Sequence, residues 1–146
     1  MSTILLATEK PFAKDAVEKI SKVITNAGHT VQLLENYTDK AQLCEAVKDA
    51  AAVIVRSDIV DADVINAGNQ LKIVVRAGAG YDNLDLNAAT AKNVVCMNTP
   101  GQNANAVAEC AFGMMLYMAR KQFSGSSGTE LRGKKLGIIG YGNIGR

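Results

Sequence analysis

Gly140, Gly142 and Gly145 stand in G-x-G-x-x-G spacing within GYGNIGR at residues 140–146. The first glycine of such a run permits a tight turn, the second lets backbone approach a pyrophosphate, and the third allows close packing of the helix that follows. Upstream, Arg56 and Arg76 each directly follow an apolar run, and Arg76 leads into Ala77-Gly78-Ala79-Gly80. Guanidinium forks grip carboxylate or phosphate, and the N–H groups of a glycine-rich turn admit an anion closely. The plainer reading is that both arginines pair at the surface with Asp58, Asp61 or Asp82. The single histidine, His29, follows Gly28 between a helical pattern and an apolar run and reads as a surface turn residue.

The elements that must position these residues follow from periodicity. Short apolar runs at 3–8, 30–34, 51–55, 72–75, 94–97 and 135–139 read as strands. Between them lie helical patterns: PFAKDAVEKISKVITNAG, with Pro11 at its start and Gly28 as a stop, then TDKAQLCEAVKDA, DADVINAG, LDLNAATAKN and the long NANAVAECAFGMMLYMARK. Strand and helix in alternation predict an α/β fold, a doubly wound parallel sheet covered on both faces. All its strands point one way, so the residues after each run gather along one edge, where open α/β sheets bind ligands. That edge collects Thr8-Glu9-Lys10, Arg56-Ser57-Asp58, Arg76 to Gly80 and Asn98 to Gly101. SGSSG at 124–128 reads as a small, polar, flexible junction between the long helix and the last run.

Composition narrows the partners. With 48% apolar and 21% charged residues the chain has the material for a core, and a net charge of +2 gives no footing for nucleic acid or a membrane surface. Cys44, Cys96 and Cys110 match neither a zinc site nor a C-x-x-C pair, so they are expected to be buried free thiols in a reducing compartment, with no metal site. No stretch has the pattern of a secretory signal, and Ala111 to Ala119 is about half of the ~20 apolar residues a bilayer requires. A cytoplasmic protein is expected.

The run LKIVVRAGAGYDNLDLNAATAKNVVCMNTPGQNANAVAE, followed by GTELRGKKLGIIGYGNIGR, resembles the D-isomer-specific 2-hydroxyacid dehydrogenases, most closely their phosphoglycerate-oxidising branch. R-A-G-x-G-x-D-N is far more specific than the glycine triplet. The resemblance implies a flavodoxin-like substrate domain whose first segment is 1–101. It also implies a crossing interdomain helix at 102–123, the junction at 124–128, and at 129–146 the first strand and turn of a truncated Rossmann domain. It implies that Ala77, Gly78, Ala79 and Gly80 present amides to the substrate carboxylate, with Ala79 also beside the nicotinamide, and that Arg56 and Arg76 face an anionic substrate. Gly140, Gly142, Asn143, Ile144 and Gly145 would face the cofactor pyrophosphate. Asn103 and Glu109 also fall in a family pattern, as helix start and interdomain support.

The implied activity of the parent is oxidation of D-3-phosphoglycerate to 3-phosphohydroxypyruvate with NAD, as a homodimer acting in serine synthesis. NADP stays open, because the acidic residue that chooses between the two would lie beyond residue 146. The family's catalytic arginine, glutamate and histidine would also lie beyond it, so no catalytic residue is expected here and the chain reads as an inactive fragment. The family carries more residues, a tryptophan among them, where SGSSG stands, and this chain has no Trp. Either the natural loop is unusually short or a segment was cut and rejoined. Two alternatives stand beside this reading: another D-2-hydroxyacid dehydrogenase, for glyoxylate, hydroxypyruvate or lactate, and a non-catalytic dinucleotide-sensing or interaction module.

Overall fold

A computed structural model describes residues 1–146. The chain divides into two compact units, Met1–Thr99 and Pro100–Arg146.

In the first unit, β1 (Thr3–Thr8), β2 (Thr30–Glu35), β3 (Ala50–Val55), β4 (Ile73–Arg76) and β5 (Val95–Met97) form one parallel sheet in the order β2-β1-β3-β4-β5. The crossovers carry α1 (Lys14–Asn26), α2 (Lys40–Val47), α3 (Ala62–Ala67) and α4 (Leu86–Ala91). This is the flavodoxin-like order, and β1 and β3 lie where the winding reverses. Leu5, Leu6, Ala7, Val53 and Val55 on those two strands are fully buried, together with Val74, Leu43, Val47, Val64 and Ile65. Central strands covered on both faces need continuous apolar runs, whereas β2 and β5 at the sheet margins tolerate exposed residues such as Leu33, Val95 and Met97.

Helix ends follow local chemistry. Asp39, Asp61 and Asp85 accept hydrogen bonds from first-turn amides of α2, α3 and α4. Gly28, at φ +79°, turns the chain out of α1, a conformation that favours glycine. The last turn of α3 is closed from elsewhere: Lys92 Nζ donates to the carbonyls of Ile65, Asn66 and Gly68, each at 2.8 Å. A cation there satisfies three acceptors and complements the helix dipole.

In the second unit, α5 (Ala104–Ala119) is followed by a short 3-10 turn, Lys121–Phe123. SGSSG, expected as a flexible junction, bends the chain back so that Thr129 N–H donates to Ala119 O at 2.8 Å. Three further expectations are corrected. Residues 135–139, read as a strand, form none: a parallel strand exists only through a ladder, and no other extended segment in 100–146 offers one. The long helix, apolar nearly all round in sequence and so expected to lie in a core, buries only Ala104, while Phe112, Met114, Leu116, Tyr117 and Met118 are exposed. The thiols are likewise not all buried, since Cys44 and Cys96 are half-buried and Cys110 on α5 is exposed. Burial pushes the Cys44 and Cys96 thiols above their ordinary range, which keeps them protonated and unreactive.

Lys92→Met is expected to cost about 1–2 kcal/mol, read as a lower urea midpoint with unchanged slope, because three carbonyls lose a charged donor. Asp61 gives a pH test. A hydrogen bond from Lys40 Nζ at 2.9 Å, foremost, and the Val64 and Asp63 amides hold its carboxyl below the ordinary value. Its contribution is therefore present at neutral pH and lost as pH falls through that lowered value. Urea midpoints measured from neutral pH downward should fall less steeply in Asp61→Asn than in the wild type.

Candidate functional site

The site at the carboxyl edge of the sheet is built from β3 and β4, whose last residues pair as Val55 with Arg76. The chain leaves β3 at Arg56 and reaches Arg76 one strand over, so the two arginines are neighbours. Arg76 Nε–H donates to the main-chain oxygen of Arg56 at 2.8 Å. The ion pairs of the chain are all made by lysines, including Lys40 with Asp61 and Asp63, so neither arginine pairs with Asp58, Asp61 or Asp82. The Arg56 side chain and the terminal nitrogens of Arg76 have no hydrogen-bond partner within the chain, and Arg56 is exposed.

The turn Ala77 to Gly80 is shaped around Arg76. A Cβ at position 78 would collide with Arg76 Nη1, so only glycine lets the guanidinium cross the turn. Ala77 N–H donates to Val55 O at 2.8 Å and Gly78 N–H to Arg76 O at 2.8 Å, which engages two of the four amides internally. The Ala79 and Gly80 amides have no acceptor within the chain and are the two available to a ligand. The exit of β5 braces the same turn: Thr99 N–H donates to Gly78 O at 2.9 Å and Asn98 Nδ2 to Ala79 O at 2.8 Å.

Beneath the arginines lies a residue that sequence reasoning treated only as a surface ion-pair partner. Asp58 is 4% exposed. Its Oδ1 accepts from Glu9 N–H and from the Tyr37 hydroxyl, both at 2.7 Å, and its Oδ2 from Arg56 N–H at 3.2 Å. Its main-chain oxygen accepts from Asn83 Nδ2 at 2.7 Å. Burial, then the bond to Asp58, push the Tyr37 phenol well above its ordinary range, so it stays a donor at any physiological pH. A carboxylate directly after a buried strand at the winding reversal was the available signal, because such a group must be satisfied by local amides. Thr8, Glu9, Lys10, Arg56, Ser57 and Asp58 line an open cleft there.

His29 sits half-buried just before β2, at the opposite edge of the sheet from the arginines. No group of three or more histidine, cysteine, aspartate or glutamate side chains is arranged to hold a metal ion, and no helix is long and apolar enough to cross a membrane.

In the second unit the glycine run forms a compact turn. Gly140 has φ +96°, and a Cβ at Gly145 would collide with the Gly140 carbonyl oxygen. Nothing lies within 4 Å of the position a Cβ would take at Gly142. The first glycine thus supplies the turn, the third admits the Gly140 carbonyl and the second leaves an open face. Asn143 Nδ2 would stand 2.9 Å from a Cβ at Gly101, so Asn143 closes on the start of α5, while Ile144 is exposed.

Against known proteins, residues 4–140 match the family described as D-isomer specific 2-hydroxyacid dehydrogenase, catalytic domain. The chain is 43% identical over 139 residues to D-3-phosphoglycerate dehydrogenase of Rattus norvegicus, covering 86% of this chain and 26% of that one. It is 34% identical to hydroxypyruvate reductase of Thermotoga maritima, covering 97% of this chain and 51% of the relative. Among solved structures, NAD+-bound 3-phosphoglycerate dehydrogenase of Entamoeba histolytica superposes with a TM-score of 0.93 at 50% identity, over 99% of this chain and 48% of that one. D-lactate dehydrogenase of Salmonella, at 22% identity and TM-score 0.70, shares the fold. The chain spans about a quarter to a half of the length of these relatives. With the family pattern running through both units, this chain belongs to the D-isomer specific 2-hydroxyacid dehydrogenases, a family of oxidoreductases.

Proposed function

We propose that this chain is part of an NAD-dependent enzyme that oxidises D-3-phosphoglycerate to 3-phosphohydroxypyruvate. The observation that carries the reading is the pair of adjacent arginines, free of ion pairs, beside two unengaged amides at the sheet edge. Phosphoglycerate offers a carboxylate and a phosphate, and a site of two guanidinium groups with two amides has donors for both. The 43% identity to a D-3-phosphoglycerate dehydrogenase supports the same choice. In this reading residues 1–101 are the first segment of the substrate domain, 102–123 the crossing helix, 124–128 a junction and 129–146 the start of the nucleotide domain.

Each residue then has a task. The Ala79 and Gly80 amides hold the carboxylate, and the engaged Ala77 and Gly78 amides shape the turn that presents them. Arg56 and Arg76 bind the distal negative charge and orient the substrate, so that binding energy is used for alignment. Gly140, Gly142 and Gly145 with the Asn143 and Ile144 backbone would carry the pyrophosphate of NAD, and the observed turn fits that group. NAD held there would supply the hydride acceptor for oxidation at substrate C2. The hydroxyl proton needs an acceptor that His29, at the far sheet edge, does not supply. The parent is a cytoplasmic homodimer in which the exposed apolar face of α5 serves association. The second reading, a hydroxypyruvate-reducing relative, is favoured by the Thermotoga likeness.

Two measurements test this. In the complete parent enzyme, Arg76→Ala should raise KM for 3-phosphoglycerate by about tenfold or more, the loss of a charged hydrogen bond, and raise KM for D-glycerate much less. Equal effects on both would remove the phosphate and favour the second reading. Calorimetric titration of NAD into this 146-residue chain should find binding weaker than micromolar, because residues 142–145 form a turn and not a helix N-terminus that would present amides to the pyrophosphate.

A further inference from the structure

We propose that Asp58 is the positioning residue of the anion grip: its buried carboxylate fixes the backbone of Arg56 at its N–H, and through that residue's backbone it sets the guanidinium of Arg76 at the Arg56 carbonyl. The inference deepens the proposed function and rests on its reading of the two arginines as the substrate's anion site.

The chain of contacts is continuous. Tyr37, leaving β2, and Glu9, leaving β1, both donate to Asp58 Oδ1 at 2.7 Å. That fixes the carboxylate from two neighbouring strands. Oδ2 accepts from the Arg56 amide at 3.2 Å. The carbonyl of the same residue accepts from Arg76 Nε at 2.8 Å. The backbone of Arg56 is therefore held on its N–H side by Asp58 and read on its C=O side by Arg76. Asn83 Nδ2 holds the Asp58 carbonyl at 2.7 Å, which ties the same loop to the segment that follows the Ala77–Gly80 turn. These bonds use one guanidinium donor, Arg76 Nε–H, and leave the terminal nitrogens of Arg76 and the whole Arg56 side chain free to meet a ligand.

Nothing about burial alone requires this arrangement. An apolar residue at position 58 would fill the space without a desolvation cost, whereas a carboxylate at 4% exposure is tolerated only because three donors meet it. What the carboxylate adds is direction, because it dictates where the Arg56 amide must lie.

The substitution that separates direction from packing is Asp58→Asn. The amide keeps the size of the side chain, and its oxygen retains the two short bonds from Glu9 and Tyr37. Its NH2 group then opposes the Arg56 N–H, so that anchor is lost. Tyr37→Phe is the control, removing a buried hydrogen bond of the same network while leaving the Arg56 anchor in place. The readout is hydrogen exchange of the Arg76 side-chain Nε–H by NMR in the 146-residue chain without ligand. It reports the bond to Arg56 O and needs no activity.

The expected result is exchange about tenfold faster in D58N than in the wild type, with Y37F within about twofold of the wild type, as for the loss of one hydrogen bond. Unchanged exchange in folded D58N, or equal acceleration in both variants, would overturn the proposal. Should D58N fail to fold, Asn83→Ala loosens the Asp58 loop through its carbonyl. Acceleration at Arg76 there supports the chain of contacts, and its absence overturns it. Titrating 3-phosphoglycerate into the wild-type chain by the same spectra separates the two levels. Failure to perturb Arg76 would count against the proposed substrate, while the exchange comparison still decides the role of Asp58.

Discussion

A charge cannot be buried at the meeting of two strands without donors to receive it, and the sheet edge is organised around that constraint. Asp58 lies where β1 and β3 turn their crossovers in opposite directions, the point at which an open sheet leaves a crevice. Its carboxylate draws the Glu9 amide, the Tyr37 hydroxyl and the Arg56 amide onto one small volume. Three strand ends are thereby fixed relative to one another by groups that are themselves main chain or fully buried. In a low-dielectric setting such bonds are stiff, and breaking one leaves an unpaired buried group behind.

Two glycine requirements of different kind follow at the two candidate sites. At Gly78 the missing side chain makes room for a side chain, the Arg76 guanidinium crossing the turn. At Gly145 it makes room for main chain, the Gly140 carbonyl. The first turn thereby carries side-chain charge, and the second is backbone alone. A substrate phosphate or carboxylate gains most from charge and a fork, whereas a dinucleotide pyrophosphate is met by N–H groups at close range. Under the proposed function, that difference would suit the first turn to substrate and the second to cofactor.

The sequence made the periodic part of this legible and left the tertiary part hidden. TILLAT reads as the strand at 3–8 and is that strand, and the run at 72–75 is displaced by a single residue in β4. Apolar runs and helical patterns in alternation suffice for this, because a parallel sheet with two covered faces admits few other patterns. Adjacency of Arg56 and Arg76 was legible for the same reason, as both end strands that share an edge. Asp58 was legible only as a carboxylate just past β3 with a local amide at Arg56; its other two donors come from residues 9 and 37, past the ends of other strands, and no spacing in the chain encodes that meeting. The engagement of the Ala77 amide was hidden likewise, since it depends on how β4 ends against Val55, while that of Gly78 is a local bond back to Arg76.

The second unit shows the opposite failure, of local signals that are strong and yet insufficient. KLGII has strand composition, and the long helix is apolar on nearly every face, but a ladder needs a partner strand and a helix is buried only by what packs against it. Within residues 100–146 neither condition is met, and the result is a segment at 135–139 without a sheet and a helix on which Phe112, Met114, Leu116 and Met118 are exposed. Hydrophobicity states what a segment gains by being covered, never what covers it. The glycine turn escapes this dependence because its bonds and contacts are short-range, from Gly140 to Gly145 and from Arg146 N–H to Gly142 O. A compact glycine turn can therefore be present in a stretch whose sheet is not.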